Sequence, residues 1–279
     1  NYRQFEEKMR SRICTAPKAL AELVFGDEDR LRVFDMTEYR SEESGNRLTG
    51  APPSYVGYGE GGQLTNHVLA EPFSIILFDE IEKAHQSVNE KFMGILEEGR
   101  LTDGQGKTAY FDQCMLVFTS NMGADRLVAR LEAQPDQQPS YDELRAIFME
   151  AVDEHFTKKW GRPELRARYG DNIIVFDMLR PELVGHICCK FLDQLCDNAQ
   201  RRRQLELRID RDSIITYFTR RMREPRNQAE GGRRVRELIK TAVVRPLNDY
   251  LFAQKPALGS RLHLSIPGGD ERISIRRSD

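Results

Sequence analysis

The chain has 279 residues, of which 39% are hydrophobic and 31% charged, so it is long enough for one large domain or two ordinary ones and is not a disordered composition. Forty-two Lys and Arg against 44 Asp and Glu leave a formal net charge of −2, so there is no global basic excess to hold nucleic acid or an anionic membrane. Mean hydropathy is −0.58, and the strongest apolar run, Ser74 to Phe78, is far too short to span a bilayer.

In chain order, short apolar runs alternate with helical stretches. Leu31, Val33 and Phe34 lead into Asp35, and Ser74–Phe78 leads into Asp79 and Glu80. Met115–Phe118 leads into Thr119, Ser120 and Asn121, and Ile173–Phe176 leads into Asp177. Each run is apolar on nearly every residue, as for strands covered on both faces by helices. Helical patterns follow at Val88–Leu96, Ala124–Leu131 and Pro181–Leu195. The βαβ alternation predicts an α/β fold with a mostly parallel sheet, whose ligands sit beyond the carboxyl ends of the strands. Gln134–Pro139 reads as a loop. Beyond Asp177 the pattern changes. A helix over Arg180–Asp197, a strand over Leu205–Ile209, helices over Ile214–Arg223 and Arg233–Phe252, and a terminal hairpin at Arg261–Ile266 and Arg272–Ile275 predict a smaller α+β domain. The expected division is 1–177 and 178–279.

The five cysteines (Cys14, Cys114, Cys188, Cys189, Cys196) form no CxxC pair. An odd count at irregular spacing argues against a disulfide framework or a structural zinc site. Asn1 to Arg12 is polar and charged and shows no signal-peptide pattern, so a reducing cytoplasmic compartment is the expectation.

Ile75–Glu80 has the form of a buried strand delivering two carboxylates to a sheet edge. Asp79 can hold Mg²⁺ through water, and Glu80 can orient a water to attack a γ-phosphate. From the motif alone, a solvated acidic turn reads equally well. Asn121 matches a group that positions the same water; alone, Thr-Ser-Asn also reads as a turn or helix cap. His85 has no Cys or His at metal spacing and reads as a hydrogen-bonded structural histidine. Arg201–Arg203 and Arg220–Arg221 carry no aromatic platform and read as a solvated face rather than a nucleic-acid surface.

The blocks Gly50–Leu64, Phe78–His85, Gly99–Gly106 and Thr119–Gly123, taken together, closely resemble the second ATPase module of the ClpA/ClpB family of AAA+ protein-remodelling machines. The resemblance covers most of the chain. It implies a large AAA+ nucleotide-binding domain followed by a small lid domain, ATP and Mg²⁺ as cofactors, a homo-hexameric ring, and an unfolded or assembled protein as substrate. It places Tyr55, with Val56 beside it, on the pore loop that grips a threaded polypeptide; an aromatic among small residues offers contact area without sequence preference. Asp79 and Glu80 fall on Walker B and Asn121 on sensor 1. Arg162–Arg168 resembles the stretch ending in the arginine finger, with Arg168 the first choice and Arg166 its competitor. Gly161 before Arg162, and a segment after Arg168 about one residue long for the family, disturb that pattern. Gly231-Gly232-Arg233 resembles sensor 2, so Arg233 is the expected nucleotide contact from the lid.

The phosphate-binding loop is missing: no GxxxxGK[ST] occurs in the 279 residues. By the family's layout, Ile13-Cys14 jumps over on the order of fifty residues, including the first strand and the loop before its helix. Lys18 lacks the preceding glycines. In the family that strand lies mid-sheet, and its loss would leave unpaired edges on both sides. Two expectations follow. Either the natural protein carries a segment between Ile13 and Cys14 and is an ATPase, or the segment is deleted and the chain is a nucleotide-free scaffold or adaptor. A third reading is the motor subunit of a two-part protease. Family members of that kind carry an apolar-Gly-apolar docking loop between sensor 1 and the finger, and none lies between Gly123 and Trp160.

Overall fold

The computed structural model describes residues 15–54, 58–135, 137–267 and 272–278. They divide into two compact units: residues up to Gly123 with Phe148–Ile174, and Ala124–Ile147 with residues from Val175 on. The chain runs through α1 (Thr15–Phe25), β1 (Leu31–Asp35), α2 (Glu42–Thr49), α3 (Gln63–Ala70), β2 (Ile75–Asp79), α4 (Gln86–Glu98), β3 (Arg100–Thr102), β4 (Thr108–Tyr110) and β5 (Met115–Phe118). Next come α5 (Ala124–Ala133), α6 (Tyr141–Glu154), a π-helical turn at His155–Lys159 and α7 (Pro163–Tyr169).

In the first unit, β1, β2 and β5 form a parallel sheet in the order β1-β2-β5. The register pairs Asp35 with Asp79 and Phe78 with Phe118, so the acidic strand ends align at one edge. Only β2 is buried along its apolar length, as expected for a strand covered on both faces. β1 and β5 are less covered than the sequence implies, because they flank the sheet; Val33 and Met115 are 39% and 37% exposed. Phe78 is fully buried at the centre, with ring centroids 5.8 Å from Phe34, 5.1 Å from Phe118 and 4.5 Å from Phe92. β3 and β4 pair as a short antiparallel hairpin not foreseen in the sequence.

Ile173–Phe176 is not a strand. Its register partner is lacking: β5 pairs with β2 on one edge, and no described strand adds to the other. Ile174 and Phe176 are each 78% exposed. An apolar run alone does not make a strand when no neighbouring backbone accepts its hydrogen bonds.

The second unit contains α8 (Pro181–Arg203), β6 (Glu206–Ile209), α9 (Arg211–Arg221), α10 (Pro225–Ile239), a π-helical turn at Lys240–Val244, α11 (Arg245–Gln254), β7 (Arg261–Ser265) and β8 (Ser274–Ser278). β6 pairs parallel with β7, and β7 antiparallel with β8. Its core packs Val184, Leu192, Ile214, Phe218, Val243 and Leu262. Burial pushes the Cys188 thiol up to about 12, so this cysteine behaves as a small apolar core residue. The single helix expected over Arg233–Phe252 is longer and interrupted: it starts at Pro225, breaks at Gly231 (φ 59°, ψ −139°) and passes through the π turn. The unit also differs from the expected division at Asp177 by beginning at Val175 and by including Ala124–Ile147, since α5 packs against α10. A cut at one sequence position cannot describe a unit assembled from two segments.

Replacing Phe78 with Ala removes the ring at the centre of this stack and is expected to cost about 3–5 kcal/mol of stability. Urea unfolding with an unchanged slope checks this; a loss below about 1 kcal/mol would show that Phe78 is not the keystone of the core.

Candidate functional site

The site is built where β2 and β5 end. The chain leaves Asp79, turns through Glu80 and enters a 3₁₀ turn at Ile81–Lys83. Glu80 has φ 56° and ψ 56°, a left-handed conformation uncommon for a residue with a side chain. Thr119, just beyond β5, holds the turn at several points. Its Oγ1 donates to Asp79 Oδ1 at 2.5 Å and accepts from the Glu80 N–H at 3.2 Å. Its carbonyl accepts from the Ile81 N–H at 3.0 Å, and its own N–H donates to the Phe78 carbonyl at 3.0 Å. Asn121 Nδ2 donates to Glu80 Oε1 at 3.0 Å, and the Asn121 N–H donates to Glu82 Oε1 at 3.3 Å. Asp79, Glu80 and Asn121, which the resemblance assigns to one site, meet at one place. For Thr119 and Glu82 the only sequence signal is their position beside the other three.

The neighbouring groups have structural tasks. Asp35 Oδ1 accepts from the Thr37 N–H at 2.9 Å and from the Thr37 hydroxyl at 2.6 Å, capping the turn after β1. His85 Nδ1 caps α4 by accepting from the Ser87 N–H at 3.3 Å. Beneath the site lies an aromatic layer in which Tyr169 meets Phe118 edge-on at 5.2 Å. Burial pushes the Tyr169 hydroxyl well above the usual phenol range. Burial, and then the Lys159 charge, push the His155 imidazole below its ordinary value.

The donor set fits one half of a nucleotide site. Carboxylate oxygens suit a hydrated divalent cation, which keeps several of its waters when few protein ligands are offered. Among the described residues no group of three or more His, Cys, Asp or Glu comes together to hold a metal directly. A phosphate cradle is another matter. The sequence has no GxxxxGK[ST], and Lys18 pairs with Glu28 at 3.9 Å.

The arginines separate by environment. Arg166 donates to Asp153 at 2.6 Å and to the Gly170 carbonyl at 3.1 Å, and its side chain is 20% exposed. Arg168 donates from Nε and Nη2 to Glu97 Oε1 at 3.1 and 2.9 Å, and its side chain is 52% exposed. Arg233 is exposed on α10 in the second unit, two residues past the break at Gly231. Tyr55 and Val56 lie outside the described residues.

The described residues that follow Val56 are anchored. Gln105 Nε2 donates to the Tyr58 carbonyl at 2.8 Å, and Asn66 Nδ2 to the Glu60 carbonyl at 2.9 Å. Buried Asp103 accepts from the N–H groups of Gln105 and Lys107 and from the Thr65 hydroxyl, tying the β3–β4 hairpin to α3. Gly104 backs directly on Ala51, where a Cβ would fall 1.8 Å from the carbonyl oxygen. The hairpin thus backs Gly50 and Ala51 and holds the Tyr58 carbonyl.

Comparison with known proteins follows the same lines. The chain is similar to the chaperone protein ClpB of Corynebacterium glutamicum, 36% identical over 261 residues, which are 94% of this chain and 27% of that protein. Against ClpB of Lactiplantibacillus plantarum it is 38% identical over 249 residues, 89% of this chain and 27% of the relative. Against ClpB of Propionibacterium freudenreichii it is 41% identical over 226 residues, 81% and 24% respectively. The chain spans about a quarter of the length of these relatives. The AAA domain (Cdc48 subfamily) matches residues 7–171, more than half of the chain, and the α/β sheet with acidic ends at β2 lies within that match. The chain belongs to the AAA domain (Cdc48 subfamily) family.

Proposed function

We propose that the chain is an ATP-driven protein-remodelling module of the ClpB type, working in a ring, a homo-hexamer by family resemblance, on protein substrates. The observation that carries this reading is the 3.0 Å hydrogen bond between Asn121 Nδ2 and Glu80 Oε1, with Asp79 adjacent. The similarity to ClpB chaperones supports it. Glu80 accepts a proton from a water, and Asn121 fixes the direction in which that carboxylate points. Asp79 would hold Mg²⁺ through water. Bound ATP with Mg²⁺ supplies the γ-phosphoryl group that the water attacks. Arg168 acts across a subunit interface. Its exposed pair with Glu97 is worth only about 0–1 kcal/mol, so a neighbouring phosphate outcompetes it; Arg166 is more deeply committed within its own chain. Arg233 reports nucleotide state to the lid, and Tyr55 with Val56 contacts the threaded polypeptide. The cytoplasm is the compartment this reading implies; among the described residues no helix is long and apolar enough to cross a membrane.

A second reading, a nucleotide-free scaffold that keeps the ring surface, is favoured by one specific observation: no P-loop sequence occurs in the chain. Intact mass with peptide mapping across Ile13-Cys14 separates the two. A mass several kDa above 32.2 kDa, with a glycine-rich Lys-Thr or Lys-Ser peptide between those residues, supports the ATPase. A mass of 32.2 kDa with one peptide crossing Ile13-Cys14 removes hydrolysis by this chain alone and supports the scaffold.

Glu80→Gln is expected to lower kcat for ATP at least about a hundredfold while ATP binding and ring assembly persist. Turnover assays with nucleotide-binding titrations check this, and unchanged turnover overturns the role of Glu80. Tyr55→Ala is expected to abolish unfolding of a tagged substrate while basal ATPase stays within about twofold. Parallel loss of both activities would mean that the Tyr55 loop is not a substrate grip.

A further inference from the structure

Asn121 follows β5 in a stretch with no regular secondary structure, and it is exposed. A long-range hydrogen bond from such a residue needs a fixed backbone, or its side chain samples other rotamers. The turn after β2 supplies the fixing group. Glu82 sits in the 3₁₀ turn whose N–H groups at Lys83 and Ala84 donate back to the Glu80 and Ile81 carbonyls at 2.9 and 3.1 Å. Ile81, 4% exposed, anchors that turn in the core. From there Glu82 Oε1 accepts from the Asn121 N–H at 3.3 Å. Its second oxygen, Oε2, is buried without a hydrogen-bond partner. Leaving a carboxylate oxygen so placed is costly.

We propose that Glu82 is a positioning residue: it clamps the Asn121 backbone so that the Asn121 amide meets Glu80. Among the bonds that join the two strand ends, three hold the N–H groups of Glu80, Ile81 and Asn121. Thr119 Oγ1 takes the Glu80 N–H, the Thr119 carbonyl takes the Ile81 N–H, and Glu82 Oε1 takes the Asn121 N–H. The first two hold Glu80; the third holds the residue that aims it. Glu82 touches neither the water nor the nucleotide in this scheme. Its catalytic consequence rests on the hydrolytic reading above, whereas its hold on Asn121 does not.

The test uses the full chain and two variants, Glu82→Ala and Glu82→Gln. Gln keeps an Oε1 acceptor for the N–H; Ala does not. Amide hydrogen exchange by NMR reads the clamp without nucleotide. In Glu82→Ala, exchange at the Asn121 amide is expected to rise about tenfold or more, while the Thr119 amide, bonded to the Phe78 carbonyl, keeps its protection. Glu82→Gln is expected to restore most of the Asn121 protection. In turnover assays, Glu82→Ala is expected to lower kcat about tenfold to a hundredfold with KM for ATP nearly unchanged, and Glu82→Gln to recover much of it. Unchanged exchange at Asn121 in Glu82→Ala overturns the proposal. Equal loss of protection at Thr119 and Asn121 also overturns it, by making Glu82 a general support of the strand ends. A clamp confirmed by exchange in a wild-type chain without turnover sinks the hydrolytic reading and leaves the clamp standing.

Discussion

A left-handed backbone at Glu80 is the constraint around which the first unit's strand ends are arranged. For a residue with a side chain, such a conformation costs on the order of 1–3 kcal/mol and persists only where the surroundings over-determine it. The surroundings here are Thr119. Its hydroxyl and carbonyl accept the two N–H groups that follow Asp79, and its hydroxyl proton goes to the Asp79 carboxylate. Net contributions of about 0.5–1.5 kcal/mol per neutral hydrogen bond, and more for one to a carboxylate, are enough to offset the strain. The turn lets Asp79 and Glu80, adjacent in sequence, both sit at the sheet edge. In a continued strand, two successive side chains would face opposite sides of the sheet.

That arrangement depends on the register of the sheet beneath it. Phe78 pairs with Phe118, so the residues immediately beyond, Asp79 and Thr119, lie side by side. A slip by one residue would exchange the faces of every side chain on the strand. The stacking of Phe78 on Phe34 and Phe118, closed edge-on by Phe92, makes such a slip expensive. Hydrophobic packing thus sets the register, the register sets the distance between Thr119 and the carboxylates, and that distance sets the strained turn.

The legible and the hidden parts of this site divide along physical lines. β1, β2 and β5 could be read because an apolar run ending in polar residues is a local pattern. Asp79, Glu80 and Asn121 stand at such ends, but the local pattern leaves them open to a solvated turn or a cap, and it is the resemblance of the surrounding blocks that singles them out. Thr119 could not be read, because its role lies in bonds to residues 39 and 40 positions away. Glu82 was hidden for the same reason. The β3–β4 hairpin is not legible in the sequence because its strands are three residues each, too short for alternation to register. Ile173–Phe176 was read as a strand because its residues are right for one. What it lacks is a partner strand, and no local pattern encodes a partner. The second unit draws in a distant stretch of chain for a related reason: α5 finds its packing partner in α10, more than ninety residues away.

The strained turn also bears on which reading of the chain is better supported. A scaffold that only displays a ring surface needs the sheet and helices, but it has no use for a left-handed glutamate. Glycine at position 80 would adopt the same backbone without the steric cost. The chain instead keeps a carboxylate there, bonds it to Asn121, and places a second carboxylate, Asp79, against the Thr119 hydroxyl. On the hydrolytic reading, each of these groups serves to direct a water beside a metal ion. Lys18 makes the opposite kind of choice: it sits 3.9 Å from Glu28 in an exposed ion pair, an interaction too weak to matter to stability and unrelated to phosphate. On the hydrolytic reading, Asp79, Glu80 and Asn121 form one half of the site, while no phosphate-binding loop of the GxxxxGK[ST] form occurs in the sequence. A half-site of that kind is useful only if the missing half is supplied. On the hydrolytic reading, the segment between Ile13 and Cys14 is the place from which it has to come.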